Sequence, residues 1–496
     1  MRLLAAFVAC ASVAGLGTAA GPARAAAEPA TAAASIARPL TWQPCPEDPT
    51  ADCAELTLPV DWSRPHGPSF EMAVVRRKAT DPTRRIGSLV VNFGGPGSLG
   101  VDDVLTTYKD FFSAEVNARF DRVGFDPRGW GRSAAPTCPQ VGPRPTADPT
   151  TPAGFAEFAA DNRRLVHGCR AGTGPLYDRL DTLSVVRDIE ALRAALGDRR
   201  LTFWGVSYGT LMAQQYAELF PQRVRALVAD SNMDHSVGGA DFLRAQAATV
   251  EDSFTEFVNW CAAAADCPLH GADVGALFER LYSRAEAGTL YEPGNPTRGV
   301  RPKNLLSAIQ WKISYLKEAP TDTLADARRS AADLLAALDA SPPRPAPAIP
   351  DIPDSDARSR QSVLCADWRL DIPDAGTLAA IGRRSQTIAP HMRRSIQAWD
   401  AMTYCLGRPM PVTNPPRPYR IPGHTPILLV NNLHDPQTPY SWAVHAARQI
   451  PGATLLAADG WGHMSYDKSR CAAALTDRYL IDLAMPAPDT HCAPDD

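Results

Sequence analysis

A chain of 496 residues with 45% hydrophobic content can bury more than one compact core, so two structural units are expected. A formal net charge of −4, with no run of like charge, argues against a nucleic-acid partner and against an anionic membrane surface. Beyond the first residues, no apolar stretch approaches the roughly 18 residues needed to span a bilayer.

The N-terminus places Arg2 before an Ala-rich apolar run that ends in Ala23-Arg24-Ala25. This pattern predicts a secretory signal over 1–25, giving a mature product that is exported and not membrane-bound. Residues 26–38 are mostly Ala, Pro and Ser and read as a disordered leader or pro-segment. Setting Cys10 aside with the signal leaves ten cysteines, and an even number in an exported chain argues for disulfides. Connectivity is open from sequence alone; taken in order the cysteines pair as Cys45 with Cys53, Cys138 with Cys169, Cys261 with Cys267, Cys365 with Cys405 and Cys471 with Cys492. No C-x-x-C or H-x-x-x-H spacing points to a metal, and none is expected.

From Cys53 onward, two alternating runs flank Arg64-Pro65-His66-Gly67 and predict an antiparallel strand pair at a sheet edge. Residues 87–93 are almost continuously apolar, as in a strand covered on both faces. They run into Gly94-Gly95-Pro96-Gly97, a turn whose small residues would let a backbone N–H approach a substrate oxygen. A helix is expected over 101–118, then a buried strand over 120–125 that ends in Asp126-Pro127-Arg128-Gly129. Asp126 and Arg128 suggest an ion pair or a solvated turn. The Pro/Thr-rich stretch 139–154 reads as a surface loop, and a helix over 183–196 leads to the most informative segment.

Leu201 to Phe220 reads as a strand, a sharp turn Gly205-Val206-Ser207-Tyr208-Gly209, and a helix. Two glycines around a serine between strand and helix make a nucleophile elbow, with Ser207 raised over the end of a parallel sheet. An oxyanion hole would then come from the N–H groups of Gly95 and Tyr208. A short strand over 224–229 follows, after which helical periodicity dominates 241–264, 273–287, 303–318, 321–339, 375–388 and 392–405. The Pro-rich 341–353 cannot be helical. Strand character returns at 426–430 and 453–457, and a helix over 472–483 closes the chain.

Strands alternating with helices on right-handed crossovers imply a doubly wound, mostly parallel α/β sheet with ligands at the strands' carboxyl ends. The boundaries read as a first core segment 39–234, a mainly helical cap 235–416 and a second core segment 417–496. A serine hydroxyl needs a base, and the base an orienting acid, in the chain order Ser, acid, His. Asp435 after the 426–430 strand and His463 after the next strand fit that order. His463 alone among the histidines combines a glycine-flanked loop, a preceding strand and the right order. Asp230 and Asp234, behind an earlier strand, are rivals for the acid.

With these residues in place, the chain resembles the serine peptidases of α/β-hydrolase fold related to prolyl aminopeptidase, and in particular secreted bacterial tripeptidyl aminopeptidases. The likeness rests on Asn92 to Gly97, Asp126 to Ser133, Gly205 to Gly209, Asp435-Pro436-Gln437-Thr438-Pro439 and Gly462-His463. Prolyl aminopeptidases usually carry His where this chain has Phe93. The resemblance implies a cofactor-independent, metal-free serine exopeptidase acting on peptide or protein N-termini. A carboxylesterase with the same triad and a non-catalytic binding protein are the alternative readings. An exopeptidase also needs a carboxylate for the substrate ammonium, and Asp367 in the cap is the candidate. The chain is taken as a monomer.

Overall fold

The computed structural model describes residues 38–139, 144, 145, 147–315, 323–345, 357–370 and 372–495, so the expected signal and most of the expected leader lie outside it. In chain order the first segment carries strands β1 (Gln43–Pro44), β2 (Asp52–Pro59), β3 (Ser69–Arg77), β4 (Gly87–Asn92), helix α1 (Ala114–Arg119) and β5 (Phe120–Phe125). Helices α2 (Pro152–Thr173) and α3 (Thr182–Ala195), strand β6 (Leu201–Val206), helix α4 (Tyr208–Leu219) and strand β7 (Val224–Asp230) complete it. Next come α5 (Gly239–Ala263), α6 (Val274–Glu286), a hairpin of β8 (Tyr291–Glu292) and β9 (Asn295–Gly299), α7 (Pro302–Ile313), α8 (Leu324–Ala340), α9 (Ala357–Asp367), α10 (Ala375–Ile388) and α11 (Ile396–Tyr404). The chain returns with β10 (Ile427–His434), α12 (Tyr440–Gln449), β11 (Ala453–Trp461), α13 (Arg470–Asp482) and β12 (Thr490–Cys492).

Among the described residues, ten strands form one sheet in the order β1-β2-β3-β5-β4-β6-β7-β10-β11-β12. The pairs from β5 to β12 are parallel, whereas β1, β2 and β3 run antiparallel at one edge. Strands β4 and β6 are buried along their whole length, which is why they read as continuous apolar runs rather than alternating ones. Register brings Asn92 beside Gly205, Val206 beside Asp230, and Asp230 beside Val430. The carboxyl ends of four adjacent strands therefore meet at one place.

One apolar cluster holds the sheet face covered by α2, α3 and α4, and a second holds the face covered by α1 and α13. Helices α5 to α8 build a third cluster around Phe254, Phe257 and Phe278. The side chains of Leu364, Trp368, Trp399 and Met402, from α9 to α11, instead belong to the first cluster. The inserted region thus has a core of its own in its first half and shares the sheet's core in its second.

The five expected cysteine pairs are the five disulfides of the structure. Other expectations need correction. The helix expected over 101–118 is a short turn at Gly100–Asp102 and a π turn at Asp103–Thr107, separated from α1 by Phe111 and Phe112. Both rings leave the helical path to pack against Trp204 and Tyr466, and Ser113 restarts the helix by accepting from the Val116 N–H. Helices α2 and α9, strand β12 and the β8–β9 hairpin are additions to the sequence reading. Asp126 and Arg128 do not pair with each other. Arg128 makes a fully buried bidentate pair with Asp188 on α3, at 2.5 and 2.6 Å, and donates to the carbonyls of Val60 and Arg179. Asp126 instead accepts from the N–H groups of Val101 and Arg132.

Candidate active site

Ser207 lies between β6 and α4 with φ 55° and ψ −121°, a left-handed backbone that a non-glycine residue adopts only when its surroundings force it. The forcing contacts are local. The Ser207 N–H donates to the Asp230 carbonyl at 3.0 Å, and the Thr210 N–H and hydroxyl both donate to the Ser207 carbonyl. A Cβ on Gly205 would sit 2.4 Å from the Gly209 carbonyl oxygen, so the strand and the helix can cross this closely only over a glycine.

The Gly94-Gly95 turn at the end of β4 abuts the elbow. A Cβ on Gly94, whose φ is 89°, would lie 2.5 Å from the Val206 carbonyl oxygen and 2.9 Å from both Ser207 Cβ and the Tyr208 nitrogen. The backbone of this turn therefore reaches the backbone of Val206 and Tyr208 on either side of Ser207. Tyr208 opens α4, so its N–H is among the first-turn donors that lack an intrahelical acceptor. The two N–H groups expected to form an oxyanion hole thus belong to segments packed directly against each other.

Asp435 and His463 are brought together by the parallel pairing of β10 and β11. His463 Nδ1 lies 3.0 and 3.1 Å from the two carboxylate oxygens of Asp435. Asp435 is fully buried and also accepts from the N–H groups of Gln437 and Thr438 and from the Thr438 hydroxyl, at 2.8 to 3.0 Å. Burial would lift its pKa, but the imidazole and these donors outweigh burial and hold the carboxyl below its usual value.

The rival acids have other partners. Asp234 accepts from the Ser236 N–H and hydroxyl and faces His445. Asp230 accepts from the N–H groups of Ser465 and Tyr466 at 2.9 to 3.0 Å, and burial pushes its carboxyl up to about 6. It orients the loop that carries His463 without touching the imidazole. That loop is held from two more sides: Asn432 donates to the carbonyls of Gly462 and Met464, and the Ser314 carbonyl at the end of α7 accepts from the His463 N–H. Sequence reading missed Asn432 and Ser314. The one available signal for Asn432 was a polar pair, Asn431-Asn432, ending an otherwise apolar strand.

Asp367 is not where an ammonium anchor would be useful. It is fully buried, and its oxygens accept from the Thr182 N–H and hydroxyl, the Tyr208 phenol and the Asn414 amide. Every one of these donors belongs to the protein, so the carboxylate presents no face to a substrate. The sequence could not show that α9 turns Asp367 inward onto the elbow.

A strained serine elbow, an imidazole paired with a buried carboxylate and a glycine turn against Ser207, all on the carboxyl ends of parallel strands, are the features of a serine hydrolase. The alpha/beta hydrolase fold family matches residues 87–469, and the chain belongs to that family. Within it, the chain is 32% identical to the serine protease Hip1 of Mycobacterium tuberculosis, over 92% of this chain and 91% of that protein. It is 30% identical to a tripeptidyl aminopeptidase of Streptomyces coelicolor, over 94% and 88%. Carboxylesterase B of Mycobacterium tuberculosis is 31% identical over 90% and 87%.

Proposed function

We propose that the chain is an exported serine exopeptidase that releases short peptides, tripeptides above all, from free N-termini. The observation that carries the reading is the His463–Asp435 hydrogen bond, formed at the ends of β10 and β11, together with the strained backbone of Ser207 at the end of β6. In the proposed reaction Ser207 Oγ attacks the scissile carbonyl carbon while His463 Nε2 takes the hydroxyl proton, and the Gly95 and Tyr208 N–H groups stabilise the oxyanion. The imidazolium returns its proton to the leaving amine as the C–N bond breaks. Water then adds to the acyl-enzyme by the same route, freeing the short peptide as its carboxylic acid. Asp435 keeps Nδ1 protonated throughout, leaving Nε2 free as the base. Five disulfides and the aminopeptidase relative support export and peptide substrates.

A second reading, an exported carboxylesterase with the same triad, is favoured by the carboxylesterase relative. One substrate panel separates the two: a tripeptide anilide, its N-acetylated form and a short-chain ester. Fast turnover of the free tripeptide with loss on acetylation is expected. A preference for the blocked peptide or the ester would refute exopeptidase action. A fluorophosphonate probe should label Ser207, and a mature protein that stays unlabelled is no serine hydrolase of this kind.

A further inference from the structure

The buried carboxyl group of Asp367 bonds the residue that directly follows Ser207. Asp367 ends α9, two residues after Cys365, whose disulfide to Cys405 ties that helix to the end of α11. Its Oδ2 accepts from the Tyr208 phenol at 2.7 Å and from the Thr182 hydroxyl at 2.5 Å. Its Oδ1 accepts from the Thr182 N–H at 2.9 Å and the Asn414 amide at 2.8 Å. The neighbouring Trp368 indole donates to the same phenol oxygen at 3.3 Å, and His235 Nε2 donates to the Asp367 carbonyl at 2.7 Å. Segments from α3, α4, the loop after β7, α9 and the cap's exit at 414 thus converge on one point.

We infer that Asp367 is a positioning residue for the reaction proposed above, holding Tyr208 by its phenol so that the N–H after Ser207 keeps its aim at the developing oxyanion. The inference rests on the acyl-transfer reading of Ser207. Tyr208 is buried, and a buried tyrosine has only two side-chain torsions to adjust. Fixing its hydroxyl from the cap therefore fixes its backbone at the first turn of α4. An oxyanion donor is effective only within about 0.5 Å of its productive position, so small displacements there weaken the transition state more than substrate binding. Asp367 also caps the N-terminus of α3 through Thr182, a purely structural service. The two roles separate because Tyr208→Phe removes the phenol contact and leaves the helix cap in place.

The test compares wild type, Tyr208→Phe, Asp367→Asn and the double variant by kcat and KM on a tripeptide anilide, fluorophosphonate labelling rate and Tm. Tyr208→Phe is expected to stay folded and to lose about tenfold in kcat, with KM within about twofold and labelling slowed in parallel. Asp367→Asn should lose at least as much, and the double variant no more than the worse single one, because both changes cut the same contact. Unchanged kcat in Tyr208→Phe, or losses confined to KM or Tm, would overturn the role of Asp367 while leaving wild-type labelling intact. An unlabelled wild type would instead overturn the acyl-transfer reading and this inference with it.

Discussion

Asp435 on the core and Asp367 on the cap flank the elbow, and they have almost the same surroundings: both are fully buried and both accept from a threonine's N–H and hydroxyl. They differ in the remaining partners. Asp435 faces an imidazole that can carry positive charge, and its pKa is held below the ordinary range against the effect of burial. Asp367 faces a phenol and an amide, both neutral. Burial, reinforced by nearby Asp181, lifts it to about 7 despite its hydrogen bonds. Burial alone does not decide what a carboxylate is for. A chargeable neighbour makes it an electrostatic partner, and neutral donors make it a clamp.

The largest expected effect lies on the core side. Asp435→Asn would present the wrong hydrogen-bonding face to His463, and kcat should fall by on the order of 10⁴-fold with the fold retained. Steady-state kinetics on the tripeptide anilide would show it, and a loss under tenfold would make Asp435 a second clamp. Asp188 supplies a control with a permanent cation beside it. Asp188→Asn leaves Arg128 buried without its counter-charge, so urea unfolding should show a loss of about 3–5 kcal/mol, with little change in KM for the protein that remains folded.

On the cap side, replacing Cys365 and Cys405 together by Ala should cost about 2–5 kcal/mol in the same urea experiment. If α9 acts as a clamp, kcat of the folded variant should fall as well, and stability lost without any change in kcat would argue that the disulfide serves the cap alone.

The smallest effect concerns pH. His235 is buried with Nε2 donating to the Asp367 carbonyl and Nδ1 facing the Gln215 amide, and burial first of all holds its pKa down to about 4. A histidine depressed in the fold contributes stability that is present above its unfolded pKa and lost as pH falls from about 6.5 toward 4. Asp367 has the opposite sign: raised in the fold, it contributes less stability as pH rises from about 4 to 7. His235→Gln should therefore make stability decline more steeply as pH rises across this window than in wild type, and Asp367→Asn should make it climb. Denaturation midpoints at several pH values would read both slopes. Two variants with identical slopes would mean that neither group titrates as the surrounding donors require.

The elbow, the glycine turn and the order of Ser207, Asp435 and His463 were legible because each sits at the end of an apolar run. Local sequence there states both the strand and its break. The cap helices 239–263, 274–286 and 375–388 were legible for a similar reason, namely an apolar stripe at helical spacing. Helix α9 was not, since its Arg-Ser-Arg-Gln-Ser start shows no such stripe and its burial comes from the main core rather than from its own face. The partner of Arg128 was equally hidden, for Asp188 lies 60 residues away on a helix whose apolar face gives no hint of a buried charge.

The chain by itself thus determined that the loops carrying Ser207, Asp435 and His463 lie at the carboxyl ends of the strands, because the order of strand ends along a doubly wound sheet constrains which loops can meet. The choice between Asp435 and Asp230, and the inward turn of Asp367 onto Tyr208, were decided only by tertiary structure. Every one of these carboxylates has the same pKa in the unfolded chain. Only the donors that folding brings around each one make it a partner of the base, a support for its loop or a clamp on the elbow.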